Sequence, residues 1–280
     1  MDNRLIFDIG THIGEDTHFY LSKGYKVIAI DADPATIEAN KKKFSGNSDV
    51  TFLNYAISDT DGQLISLFVN EDSSKNSLFS EIGGRQDSLQ QVVQVPTRTL
   101  SSLMQEYGVP FYCKIDIEGY DPVAIRSIRP VKELPRFTSA ETECKPDETR
   151  QSEDGIFDAL DALKEVGYTK FKLVDQTTLM VLDNRDFYKA RSSFAYKLMR
   201  KLQKLTGSYT AWFANKQRLS KKYNYSFVHD ATGPFGDELE GDKWMSYEEA
   251  KALYLFHRRS YYSIEANKNF GMWADWHATY

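Results

Sequence analysis

The sequence predicts an α/β fold, a mostly parallel sheet with helices on both faces, and three observations carry that expectation. Short apolar runs alternate with helical stretches over residues 4–184, a glycine-bearing turn follows the first run directly, and the second run ends in an aspartate. Arg4 to Asp8 (RLIFD) reads as a buried strand, and the stretch carrying Ile13, His18 and Leu21 as a helix. Lys26 to Asp31 is a second strand and Pro34 opens a helix through Phe44, completing a βαβ unit. Val50 to Asn54 gives a third strand, Leu64 to Val69 an extra one, Phe111 to Ile115 a fourth and Phe137 to Glu141 a fifth. Helices are expected over 100–107 and 123–128, and an amphipathic one over 154–167 ends at Gly167. Lys170 to Val174 and Thr178 to Leu182 pair as a hairpin, an antiparallel edge to the sheet.

Composition narrows the function classes. With 280 residues, 41% hydrophobic and 27% charged, the chain is long enough for one large domain with an appendage. Two cysteines, Cys113 and Cys144, cannot build a disulfide framework or a paired-cysteine metal site, which points to a reducing compartment. No apolar run reaches the ~20 residues needed to span a bilayer, and the start (MDNRLIFDIG) lacks a signal-peptide pattern, so a cytoplasmic location is expected. The net charge of −5 hides a split: residues 1–184 carry 19 Lys+Arg against 30 Asp+Glu, and 185–280 carry 16 against 10. The expected division is therefore an acidic body, 1–184, and a basic extension, 185–280.

The strand ends hold the chemistry, because open α/β sheets bind ligands at the carboxyl ends of their strands. The first turn reads Asp8-Ile9-Gly10-Thr11-His12-Ile13-Gly14. Gly10 permits a tight turn with close ligand approach, and Gly14 lets the following helix pack closely. Asp31, at the end of the second strand, suits the two hydroxyls of a ribose, since each carboxylate oxygen accepts one. A pyrophosphate wants three glycines and bare amides at a helix start; here Glu15 and Asp16 stand in the first turn and would repel it. They tolerate a cation, so the pattern fits S-adenosylmethionine, with helix-dipole complementarity as the plain structural alternative for those two acids.

At this point the chain resembles the FkbM-type methyltransferases, class I S-adenosylmethionine-dependent enzymes that mostly O-methylate sugars, polysaccharides and natural products. The segments that carry the resemblance are FDIGTHIGEDTHFYLSKGYKVIAIDADP (7–34), NYAISDTDGQLISLFV (54–69), NSLF (76–79), VPTRTLSSLMQEYGVPFYCKIDIEGYD (95–121) and GYTKFKLVDQ (167–176). KIDIEG is the most specific. Thr11 and His12 depart from the family's usual DxGANxG turn, and Asp31 stands where the family has Glu. The resemblance implies a Rossmann-like fold with a mostly parallel seven-stranded sheet and a mainly helical C-terminal extension. It also implies roles: Asp8, Gly10, Thr11, His12 and Gly14 around the methionine part of the cofactor, Asp31 on the ribose, and Ala32 and Asp33 beside the adenine. Asp16 belongs to the same cofactor set. Ala56, Ile57 and Ser58 would pack on the adenine ring, and Asp116 would sit beside the transferable methyl.

A sugar hydroxyl is a poor nucleophile, so transfer to it needs a base or a metal ion. Lys114, Asp116 and Glu118 alternate across a strand end and share a face if the strand runs that far. Asp116 or Glu118 is the favoured base, with Lys114 orienting a carboxylate, although Glu118 also reads as a helix-start acid. Glu141 and Glu143 with Asp116 offer three oxygen ligands of the kind a divalent metal accepts, a reading placed below the metal-free one. His18, His229, His257 and His277 form no ligand cluster in sequence.

In the extension, residues 185–223 hold 11 Lys+Arg against Asp186 alone, interleaved with apolar residues from Phe194 to Phe213. This reads as a basic amphipathic helix for an acidic acceptor, an anionic membrane surface or nucleic acid, or simply as a helix packed on the body or on a second copy in a homodimer. Ser246-x-x-Glu249 marks a capping box, and Trp244, Trp273, Trp276, Tyr261 and Tyr262 offer faces for sugar rings or anchors to the core. The extension is expected to line the acceptor pocket and cover the methyl group. Two alternatives stay open: a nicotinamide-dependent oxidoreductase, and a non-enzymatic scaffold or nucleic-acid-binding protein using the basic tail.

Overall fold

A computed structural model describes residues 4–70, 76–78, 89–129, 131–142, 153–182, 214–228, 231–241, 243–265 and 273–280. The elements run β1 (Leu5–Ile9), α1 (Glu15–Ser22), β2 (Lys26–Asp31), α2 (Pro34–Lys43), β3 (Val50–Asn54), β4 (Ala56–Ile57), β5 (Leu64–Asn70), β6 (Leu89–Arg98) and α3 (Leu100–Tyr107). They continue with β7 (Tyr112–Ile115), α4 (Asp121–Arg126), β8 (Phe137–Glu141), α5 (Asp158–Val166), β9 (Lys170–Asp175), β10 (Met180–Val181), α6 (Ala214–Tyr223), α7 (Tyr247–Glu265) and β11 (Ala274–Thr279).

The main sheet has the order β10-β9-β11-β8-β7-β1-β2-β3. The five strands β3, β2, β1, β7 and β8 are parallel, and their buried apolar runs reflect helices on both faces. The sheet has eight strands where seven were expected. The additional one is β11, from the C-terminal extension, which lies antiparallel between β8 and β9 and is buried along its whole length. The expected hairpin is present as β9 and β10 at the edge. The expected extra strand, β5, belongs to a separate sheet in the order β4-β6-β5. β6 (LQQVVQVPTR) escaped the periodicity because half of its residues are exposed and glutamines interrupt its apolar positions.

Two apolar layers cover the sheet. On one face Leu100, Leu103, Ile125, Leu160 and Leu163 pack with Ala250, Leu253 and Tyr254 of α7 and with Trp276. On the other, Phe19 and Tyr20 of α1 pack with Phe227, Ala231 and Phe235. Phe235 stacks on Tyr112 of β7 with ring centres 4.1 Å apart. Residues on both sides of the boundary expected at 184 thus share these core clusters. Ser246 and Glu249 form the expected capping box, with Glu249 accepting from the Ser246 amide at 2.9 Å and hydroxyl at 2.8 Å. The basic stretch from 185 to 213, together with Glu143, Cys144 and His229, lies outside the described residues.

Candidate functional site

The turn after β1 hooks over the end of β2: the Gly10 and Thr11 amides both donate to the Ile30 carbonyl, at 2.9 and 3.1 Å. Gly10 sits at φ +76°, and a Cβ there would fall 1.7 Å from the Asp116 carbonyl oxygen, so glycine is required where the turn crosses the strand β7 exit. His12 holds φ +45°, a left-handed conformation in which His and Asn are both enriched, which explains why it can stand where the family has Asn. Asn40 fixes that conformation by donating to the His12 carbonyl at 2.6 Å. Gly14, also at φ +76°, caps α1 where a Cβ would press on Asn40 and Phe44 of the α2 segment.

Asp31 is the centre of this turn. One oxygen accepts the His12 amide at 3.0 Å and the other the Asp33 amide at 2.9 Å, leaving a further lone pair on each. Burial pushes its carboxyl up to about 6, against these two amides. Asn54 secures the strand end, donating to the Asp31 and Ala32 carbonyls at 2.9 Å each. Asp33 is occupied elsewhere: it caps α2 through the Ala35 amide and Thr36 hydroxyl and accepts from Asn76 at 3.2 Å. Ala56, Ile57 and Ser58 are buried, and Ala32 packs into the small cluster around Ala56. The Ser58 amide donates to the Arg98 carbonyl at 3.0 Å, a ladder bond that takes it out of the set available to a ligand.

Lys114 is a buried hub. Its ammonium lies 3.7 Å from Asp8, 3.8 Å from Asp16 and 3.4 Å from Asp116, and donates to the Gly10 carbonyl at 3.0 Å. These carboxylates hold it charged, well above the ordinary lysine range despite burial. Asp8 is fully buried; Thr17 and Thr11 hydroxyls converge on its Oδ2, and Oδ1 has no hydrogen-bond partner. Asp16, expected at the cofactor, is turned toward the C-terminal segment, where both its oxygens accept the Thr232 amide (3.1 and 3.0 Å) and one the Gly233 amide (3.4 Å). Burial pushes it up to about 7. Glu15 pairs with His12 at 3.4 Å, an attraction that raises the imidazole above its usual value.

β7 ends at Ile115, so the alternation expected to align Lys114, Asp116 and Glu118 stops before Glu118. Glu118 instead takes a left-handed turn at φ +48°, its carbonyl accepting from the Ser77 hydroxyl at 2.9 Å. Its charge, with those of Asp116, Asp121 and Asp275, and above all burial, pushes the Glu141 carboxyl well above the ordinary range. Asp121 is raised to about 7, by burial first and Asp116 second. Among the described residues no group of three His, Cys, Asp or Glu side chains is arranged to hold a metal ion.

The sequence profile of the methyltransferase FkbM domain matches residues 8–169, more than half of the chain. The chain belongs to the FkbM methyltransferase family. Among curated proteins none matches it significantly. Solved structures that resemble it include a precorrin-6y C5,15-methyltransferase from Geobacter metallireducens (TM-score 0.36, 10% identity, 62% of this chain and 67% of that one). Another is an O-methyltransferase from Bacillus cereus in complex with SAH (TM-score 0.36, 12% identity, 61% of this chain and 66% of that one). Both are distant, and the fold stands on the chain's own sheet order. Membership displaces the oxidoreductase alternative.

Within this FkbM domain the structure brings Asp8, Gly10, Thr11, His12, Asp31, Lys114 and Asp116 together around one turn, with Ala32 and Ala56 packed alongside. Sequence reasoning missed Asn40, Asn54, Asn76 and Ser77, which brace that turn and the Glu118 loop; Asn54, Asn76 and Ser77 lie inside segments of family resemblance. Of the aromatics offered for sugar stacking, Trp276 is fully buried against Tyr254, Trp244 stacks on Phe137, and Trp273 remains 41% exposed. No helix among the described residues is long and apolar enough to cross a membrane.

Proposed function

We propose that this protein transfers a methyl group from S-adenosylmethionine to a hydroxyl of a sugar, glycan or glycosylated natural product. The observation that carries the reading is the Asp31 carboxylate, preset by two backbone amides beside the glycine turn and one strand away from Asp116.

The residues fit the cofactor. Asp31 keeps a free lone pair on each oxygen for the ribose hydroxyls, Ala32 beside the Ala56 cluster suits the adenine, and the part-exposed Asp116 suits a positively charged amino-acid end. When bound, the cofactor supplies an activated methyl on a sulfonium. The chain's own part is to bind, align and deprotonate the acceptor. Asp116 is the favoured base: its side chain is 28% exposed and held 3.4 Å from Lys114, so it can reach an acceptor hydroxyl without swinging free. Lys114 is a positioning residue, since it touches Asp8, Asp16, Asp116 and the Gly10 carbonyl at once. With the cofactor held by Asp31 and the glycine turn, its methyl would be presented to the acceptor oxygen, and Asp116 would take the hydroxyl proton.

Incubation with methyl-labelled cofactor and pools of sugar nucleotides and glycans tests this. Labelled methyl ether on a carbohydrate supports the reading; label found only on protein, nucleic acid or a nitrogen atom refutes the acceptor class.

A further inference from the structure

The register of three neighbouring strands lines up three acids. Ile115 of β7 is level with Ala140 of β8, so Asp116 comes level with Glu141, and Glu141 is in turn the direct partner of Asp275 on β11. Directly opposed residues share a face at about 4.5–5.5 Å between Cβ atoms, and like charges in that position destabilise a sheet. Glu118 and Asp121 add their charges to the same place. Lys114, 3.4 Å from Asp116, is shared with Asp8 and Asp16.

Asp275 shows that the row is built toward a ligand. It is 3% exposed, and Gln176 Nε2 donates to its Oδ1 at 2.7 Å, which fixes the carboxylate in place. Its other oxygen, Oδ2, is buried with no hydrogen-bond partner, and Asp275 forms no ion pair among the described residues. A buried orphan acceptor beside two more carboxyls costs stability unless a donor, best a charged one, fills the gap. A second orphan, Asp121 Oδ1, lies in the same electrostatic neighbourhood. The exposed Trp273 precedes β11, and its carbonyl accepts the Gln176 amide at 3.1 Å.

We propose that Glu141 and Asp275 form a cation-recognition pair in the acceptor subsite, and that the natural acceptor carries a protonated amine beside the hydroxyl that is methylated. This rests on the reading of the β7–β8 edge as the acceptor side, and it replaces the acidic acceptor expected from the basic tail. A phosphorylated or carboxylated acceptor brings no positive charge to this row of acids. An amino sugar meets donors' partners: the ammonium between Glu141 and Asp275, with ring hydroxyls toward Asp116.

The test uses the full chain saturated with S-adenosylhomocysteine and three probes, glucosamine, glucose and glucose 6-phosphate, with affinities from ligand-observed NMR titration at neutral pH. Glucosamine is expected to bind about tenfold or more tighter than the other two. Asp275→Asn and Glu141→Gln, which keep shape and the Gln176 contact, are each expected to erase that preference while melting as folded proteins. Equal affinities, preference for the sugar phosphate, or no sugar binding at all overturns the proposal. So does a preference that vanishes with a chelator and returns with magnesium, which assigns the acids to a metal. Failure of S-adenosylhomocysteine itself to bind overturns the methyltransferase reading as well; binding of it without amine preference overturns this inference alone.

Discussion

At the β1–β2 end of the sheet, both oxygens of Asp31 are met by amides, and a single lysine balances Asp8, Asp16 and Asp116; at the β8–β11 end, Glu141 faces Asp275 and an oxygen of Asp275 is left orphaned. The acids of the first region are each met by groups of their own chain, whether amides, hydroxyls or Lys114, as suits a constant ligand whose recognition must be preset. The second leaves a buried oxygen of Asp275 without a donor, as suits a ligand that brings one. Function is placed in that imbalance, which a stable protein would otherwise discard.

The largest way to break the contrast is to remove the balancing cation. Lys114→Met leaves the buried Asp8 and Asp16, and the part-exposed Asp116, without their cation, and unfolding in urea is expected to show a loss of about 3–5 kcal/mol. A loss under about 1 kcal/mol would mean that the hub is not electrostatic. Gly10→Ala comes next. A Cβ 1.7 Å from the Asp116 carbonyl must displace the turn, so about 2–4 kcal/mol of stability and the binding of S-adenosylhomocysteine are expected to go together. If calorimetry finds cofactor affinity unchanged, the turn is not the cofactor's seat.

The buried acids at both ends predict an unusual pH profile. Burial pushes Asp275 from the ordinary 3.8 up to about 8, and Asp16 and Asp121 up to about 7. A carboxyl raised in the folded state holds its proton there while the unfolded chain has released it, so the folded state binds more protons between pH 3.8 and about 8. Stability from these groups is therefore present at the acidic end of that window and lost as pH rises through it. Thermal melting of the ligand-free protein is expected to fall between pH 5 and 8, and Asp275→Asn is expected to flatten the fall and gain about 1 kcal/mol at the alkaline end. A variant less stable than the parent at pH 8 would show that the Asp275 charge is satisfied. The smallest effect lies away from both ends: Ser246→Ala removes the capping box of α7 and should cost about 1 kcal/mol with cofactor binding intact.

The balanced region was legible in sequence because it is local. Asp8, Gly10, Gly14 and Asp31 fall within one βαβ unit, where spacing alone places a turn beside a strand end. The first five parallel strands and the edge hairpin were legible for the same reason, as apolar runs between helices. The unbalanced region was not, because Asp275 reaches Glu141 across more than a hundred residues and through a strand, ADWHAT, that carries an acid and a histidine into the sheet interior. A buried strand with two ionisable residues has no apolar run to announce it. The Asp16 contacts were hidden for the same reason: the Thr232 and Gly233 amides that it accepts come from the far end of the chain.

Calorimetric titration of the purified chain with S-adenosylhomocysteine, and separately with NAD, tests the account most directly. The account predicts saturable binding of S-adenosylhomocysteine, weakened about tenfold or more in Asp31→Ala, and no binding of NAD. Tight NAD binding, or S-adenosylhomocysteine affinity indifferent to Asp31, would contradict it.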